Sequence, residues 1–195
     1  MKKLFLFSAL FLFCSSSALV FAQETKEEQA AVQQKWMEYM TPSANHKMMA
    51  KSVGEWTTKM QMWSAPNTEP MKSEGTCKSE MILGGRYMET KYSGMVMGMP
   101  FEGISTDGYD NAKKVYFNSW VDNMGTGMMH AEGKFDEVSK TIIYNGTMFD
   151  PMQNKDLSYR QTLQMVDDNH MVMEMFNNTK DGKEFKSLHV EYVKK

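Results

Sequence analysis

The sequence predicts an all-β protein: a closed, antiparallel, up-and-down barrel of about ten strands, preceded by one or two N-terminal helices. Three observations lead there. From Val53 to the C-terminus, apolar and polar residues alternate with a period of two, the pattern of strands with one buried face. Turn-forming groups break the alternation at even intervals: Ala65-Pro66-Asn67, Gly84-Gly85, Asp107-Gly108, Asp110-Asn111, Asp150-Pro151 and Asp181-Gly182. No helical pattern separates the strands, so neighbours should pair antiparallel. About ten such strands lose their exposed edges most simply by closing on themselves.

The first residues are expected to stand outside this fold. Lys2 and Lys3 precede an apolar run from Leu4 to Phe13, and Val20-Phe21-Ala22 has the form of a small-residue cleavage site. The run is too short for a spanning helix, which needs about 20 residues. Residues 1–22 therefore read as a secretory signal, the chain starting at Gln23 in the periplasm or outside the cell. Bulky Phe13 makes Cys14 a poor lipidation site. The leader holds two of the 22 basic residues and none of the 24 acidic ones, so the exported chain carries a net charge of −4. That balance, with no clustered basic face, argues against nucleic acid as a partner. Cys77 is the only cysteine beyond the leader, which leaves no intrachain disulfide; its simplest role is that of a small packed apolar side chain.

Between the leader and the strands lies residues 23–52, a helical segment. Val32, Trp36 and Met40 recur every four residues through Glu24–Met40, with Met37 beside them. Pro42 and Ser43 end that helix, and Ser43 can cap a second short one running to about Lys51. Both are expected to pack over one end of the barrel domain, residues 53–195.

The strands are expected at Val53–Trp63, Ser73–Leu83, Arg86–Tyr92, Phe101–Asp107, Val115–Asp122, Thr126–Phe135, Thr141–Met148, Leu157–Val166, His170–Asn177 and Glu184–Val193. Asp181-Gly182 predicts a tight hairpin with positive φ at both central residues. Alternation assigns faces. Trp56, Thr58, Met60 and Met62 share one side of the first strand; Cys77, Ser79 and Met81 share one side of the second. On the fifth, Tyr116, Asn118, Trp120 and Asp122 oppose Val115, Phe117 and Val121. A face mixing aromatic rings with polar tips suits a cavity wall, and equally a half-solvated exterior with aromatic cross-strand pairs.

Taken in order, these residues resemble a bacterial family, domain of unknown function 1579. The shared pieces are His46, Gly54-Glu55-Trp56, Gly84-Gly85-Arg86-Tyr87, Pro100-Phe101-Glu102-Gly103, Gly108-Tyr109-Asp110-Asn111, and Trp120 with Asp122. They run from His46 to Val193. The resemblance implies a calycin-like, lipocalin-like barrel and no established activity. The long N-terminal helix and the 22 methionines depart from the family pattern.

Function is then sought in the barrel's inner face. The favoured reading is a small apolar or amphipathic ligand held inside by Trp56, Met60, Met62, Met81, Tyr116, Trp120, Met173 and His189. Asn118 or an arginine would orient a polar head. Only Arg86 and Arg160 are available, and either could instead stack on Trp56 and close one end, or clamp a ligand carboxylate. The second reading takes Met95-x-Met97-x-Met99 as thioethers on one strand face, able to hold Cu(I) as a soft metal, with Met171-x-Met173-x-Met175 as a similar row. Against it stands methionine's ordinary use as an adaptable filler. Haem would require an inward imidazole, for which His189 is the candidate. No nucleophile elbow, phosphate loop, dinucleotide fingerprint or zinc-protease motif occurs, so no catalytic residue and no cofactor is assigned. An enzyme acting on a barrel-bound molecule is the remaining alternative.

Overall fold

The computed structural model describes residues 25–195, so the expected leader lies outside the described residues. By compactness the chain divides between Lys35 and Trp36. Helix α1 (Lys26–Met40) starts on a reciprocal cap. Thr25 N–H donates to Glu28 Oε2 at 2.7 Å, and Glu28 N–H donates to Thr25 Oγ1 at 3.2 Å. Two of the four donors left open at a helix start are thereby satisfied.

From Trp36 onward the chain is one unit. Helix α2 (Ala44–Met49) runs into a 3-10 turn at Ala50–Ser52. His46 sits in the first turn of α2, where its Nδ1 accepts the backbone N–H of Ser43 at 3.0 Å. Its ring meets Tyr109 edge-on at 6.0 Å. Burial and nearby Arg86 hold its pKa below the ordinary value, so the imidazole stays neutral and remains an acceptor. His46 is therefore part of the packing between α2 and the barrel.

The strands are β1 (Gly54–Met62), β2 (Met71–Ile82), β3 (Tyr87–Val96), β4 (Met99–Asp110), β5 (Val115–Asp122), β6 (Met129–Asp136), β7 (Thr141–Asp150), β8 (Lys155–Asp167), β9 (His170–Asn178) and β10 (Glu184–Lys194). All neighbours pair antiparallel, and β1 pairs with both β2 and β10, closing the barrel. In this register Trp56 lies opposite Cys77 on one side and Lys194 on the other. Because β1 leaves the α2 end, the odd-numbered strands run away from that end and the even-numbered strands return to it. Helix α2 closes one mouth. The other is ringed by the hairpin loops after β1, β3, β5, β7 and β9.

Trp56 forms the floor at the α2 end. It is 1% exposed, and its indole N–H donates to the Ser52 carbonyl at 3.0 Å. No arginine covers it. Lys194 Nζ lies 5.2 Å from the ring, in the position expected of an arginine. Tyr116 closes the same end: its hydroxyl donates to Asn45 Oδ1 at 2.8 Å, and its ring packs beneath α2 with Met49, Met88 and Tyr144.

Three turns differ from expectation. Asp107-Gly108 is not a turn but lies within β4, where Phe117 from β5 covers the space above Gly108 so closely that any Cβ would collide with the ring. β4 runs on to Asp110 and reaches β5 through residues 111–114, and β3 and β4 meet in a tight turn at Met97-Gly98, with φ of 53° and 76°, so both strands extend further than predicted. Between β9 and β10, only Gly182 takes positive φ. The connection is a five-residue loop, Thr179 to Lys183, closed by Thr179 N–H donating to the Lys183 carbonyl at 2.9 Å.

Candidate functional site: the barrel interior

The inner faces of the ten strands do not fill the barrel. They enclose a cavity of about 600 Å³, within the ~300–1,000 Å³ common for small-molecule sites. Alternation decides its lining. On β1 the residues facing in are Thr58, Met60 and Met62; on β9 they are Met171, Met173 and Met175. On β5 they are Asn118, Trp120 and Asp122, so the mixed face of that strand is the cavity wall and Phe117 and Val121 lie outside.

The aromatic wall is built on one glycine. Trp120 lies across Gly103, where an added Cβ would collide with the indole. It stacks on Phe101 at 6.2 Å and meets Tyr92 edge-on at 5.1 Å. Its N–H donates to Asp122 Oδ2 at 2.7 Å, while Asp122 Oδ1 accepts the Met124 N–H at 2.9 Å. Asp122 thus pins the ring and the loop after β5 together. Tyr92 reaches Tyr192, whose hydroxyl is 3.4 Å from its own.

Asp107 is the feature sequence reasoning missed. The sequence offers it only as the first half of an Asp107-Gly108 turn. Its position inside β4 turns it inward, among the cavity-lining residues. Its Oδ1 accepts Asn118 Nδ2–H at 2.9 Å, and its Oδ2 accepts the Ser105 hydroxyl at 3.0 Å. Burial raises its pKa to about 6, and the two hydrogen bonds only partly offset that rise. Its remaining accessible surface faces the cavity rather than bulk solvent. The signal was the period-two run Phe101, Gly103, Ser105, Asp107, Tyr109, which the Asp-Gly turn assignment cut short. Asn177 also lines the cavity, and its Oδ1 is buried without a hydrogen-bond partner.

The expected site residues divide into three groups. Met60, Met62, Asn118, Trp120 and Met173 line the cavity. Trp56, Met81 and Tyr116 face inward but are packed at the closed end rather than along the open space. Arg86, Arg160 and His189 do not reach it, which corrects the expectation for all three. Arg86 belongs to the turn between β2 and β3, donating to the Leu83 carbonyl at 3.2 Å. Arg160 lies on the outer wall over Phe176, with its guanidinium donating to Glu184 at 2.9 and 2.6 Å. A β-bulge between Lys186 and Leu188 sets the parity of β10, so Leu188, Val190 and Tyr192 face in and His189 faces out. His189 Nδ1 lies 3.0 Å from Glu174 Oε1 on the outer surface, so it does not offer the inward imidazole that haem would need.

The Met95, Met97 and Met99 set is also rearranged. The chain reverses at Met97-Gly98, pairing Val96 with Met99 and Met95 with Pro100. Met95 and Met99 therefore lie on opposite faces, with Met97 at the tip between them, and the three thioethers do not share one strand face. Cys77 is 4% exposed, and burial pushes its thiol pKa up to about 12. Among the described residues no group of three or more His, Cys, Asp and Glu side chains is placed to hold a metal ion. No described helix is long and apolar enough to cross a membrane.

Comparison with known proteins agrees with this architecture. The family described as "Protein of unknown function (DUF1579)" matches residues 41–194. No curated protein matches the chain significantly. Among solved structures, Rv2717c from M. tuberculosis superposes with a TM-score of 0.59 at 8% identity, covering 80% of this chain and 99% of that one. The S-type phycobiliprotein lyase CPES from Guillardia theta gives a TM-score of 0.55 at 8% identity, covering 82% of this chain and 96% of that one. At such identities the likeness is one of fold.

Proposed function

Since this chain belongs to the DUF1579 family, whose description names no activity, we propose from its interior that it is an exported carrier or receptor for a small apolar or amphipathic molecule. The observation that carries this reading is the open space of about 600 Å³ inside a closed barrel, walled by methionine and aromatic side chains. A protein selected only for stability would fill such a space, because interiors pack to the density of organic crystals. Methionine suits a wall that must accept guests of more than one shape, since it has three rotatable bonds and a polarisable sulfur. One end is closed by α2, so the guest enters between the hairpins at the other. Export rests on the leader pattern of Lys2-Lys3, Leu4–Phe13 and Val20-Phe21-Ala22.

Two measurements test the reading. Titration with Nile red, an uncharged probe, should give one blue-shifted site per chain. Met173→Trp and, separately, Leu188→Trp fill the cavity and should abolish that site while far-UV circular dichroism is unchanged. Probe binding that persists in both folded variants would place it elsewhere and defeat the proposal. N-terminal sequencing of the exported protein should begin at Gln23.

A further inference from the structure

The cavity wall is one-sided in charge. The side chains turned into the cavity include two carboxylates, Asp107 and Asp122, and no lysine, arginine or histidine. Asp122 is committed to Trp120 and the Met124 backbone. Glu74 borders the space only by its place on β2, its side chain facing outward with its register partner Lys59. Asp107 is different: it lies deep, two residues along β4 from Tyr109, which packs against α2. Its described hydrogen-bond partners, Ser105 and Asn118, are both neutral donors. An ionised carboxylate offers about four lone-pair sites, and here two are used.

We infer that the cavity selects an amphiphile whose head donates hydrogen bonds and is cationic, a primary or secondary alkylammonium, seated on Asp107 with its chain directed through the methionine-lined space toward the open mouth. This deepens the proposed ligand-binding role and rests on it. A buried carboxylate without a counter-charge disfavours a second negative charge strongly and rewards a positive one, because low-dielectric surroundings strengthen both interactions. It rules out the alternative of an arginine clamping a ligand carboxylate: Arg86 and Arg160 are outside the cavity, and the charged group facing it is an acid. The raised pKa of Asp107 is consistent with a carboxyl that awaits a partner.

The test compares three probes of one chain length, decylamine, 1-decanol and sodium decanoate, each below its micelle concentration, by calorimetric titration of the purified protein at pH 7.5. Decylamine should bind at least tenfold tighter than decanol, and decanoate should bind more weakly than either. In Asp107→Asn the amine should lose that advantage over decanol. If all three bind alike, or decanoate binds best, the head-group inference fails while the ligand-binding reading stands. If none binds and Nile red does not bind either, both fail. The comparison of heads on the unaltered protein is decisive even if the variant does not fold.

Discussion

Replacing Asp107 by asparagine should change stability in a way that depends on pH, and the direction follows from the structure. The folded carboxyl has its pKa raised from 3.8 to about 6, with burial as the main cause. In the unfolded chain the same group ionises first, so between the two values the unfolded state gains the free energy of ionisation and the folded state does not. Wild-type stability from this group is therefore fully present below about pH 4, falls as pH rises, and levels off above the folded value. A shift of about two units is equivalent to about 3 kcal/mol, and solvation from the cavity side reduces this, giving an expected span of about 1–3 kcal/mol. Asparagine cannot ionise. It also presents an amide N–H₂ to one of the two donors, a mismatch of about 1–3 kcal/mol that does not vary with pH. The quantity to measure is thus the difference between variant and wild type, from urea unfolding at half-unit steps between pH 4 and 8. Other titrating groups are common to both proteins and largely cancel. The difference should move in favour of Asp107→Asn by about 1–3 kcal/mol across that range, with its midpoint between pH 4 and 6. A flat difference would mean that Asp107 is solvated like a surface acid, and the charge-based inference would fall with it.

Three further outcomes are expected. Trp56→Phe removes the indole N–H from the Ser52 carbonyl and leaves a void at the closed end, lowering stability by about 2–4 kcal/mol in chemical denaturation. Gly103→Ala forces Trp120 off its seat, which should weaken the near-UV circular dichroism of the aromatic cluster and lower stability by about 1–3 kcal/mol. Cys77, with its thiol pKa pushed up to about 12 by burial, should react with Ellman's reagent only at the rate of unfolding; in a chain beginning at Gln23 that rate is read directly, and fast labelling at neutral pH would contradict the packing.

The barrel was legible in the sequence because one physical pattern repeats ten times. Each strand alternates, each break carries turn chemistry, and the faces read from β1, β2 and β5 are the faces the closed sheet turns inward. Parity groups Met60 with Met62 and Asn118 with Trp120, and the closed sheet decides that both groups face the cavity. What failed needed information that parity does not contain. Asp-Gly at 107–108 has the composition of a turn, but Phe117 reaching across from β5 makes it a strand, and no local pattern announces a ring from a neighbouring chain segment. His189 is offered inward only because the last strand pairs with that of Trp56; the local alternation of Leu188, Val190 and Tyr192, set in phase by the bulge between Lys186 and Leu188, turns the imidazole out. The arginines were assigned by analogy with barrels that cover their tryptophan this way; here the ring is covered by Lys194, and Arg160 is drawn outward by Glu184. Met95, Met97 and Met99 share a face only if the spacing of two is read as strand, and the reversal at Met97-Gly98 breaks that reading.

The two ends of this barrel have separate duties, and that separation makes the protein adjustable. The contacts that hold α2, from Tyr116 to Asn45 and from Tyr109 to His46, gather at one pole. The hairpins around the entrance lie at the other. Substitutions in those hairpins can widen, narrow or recolour the doorway without loosening the plug. If the barrel carries guests as proposed, one scaffold can change them at its threshold alone, its foundations untouched.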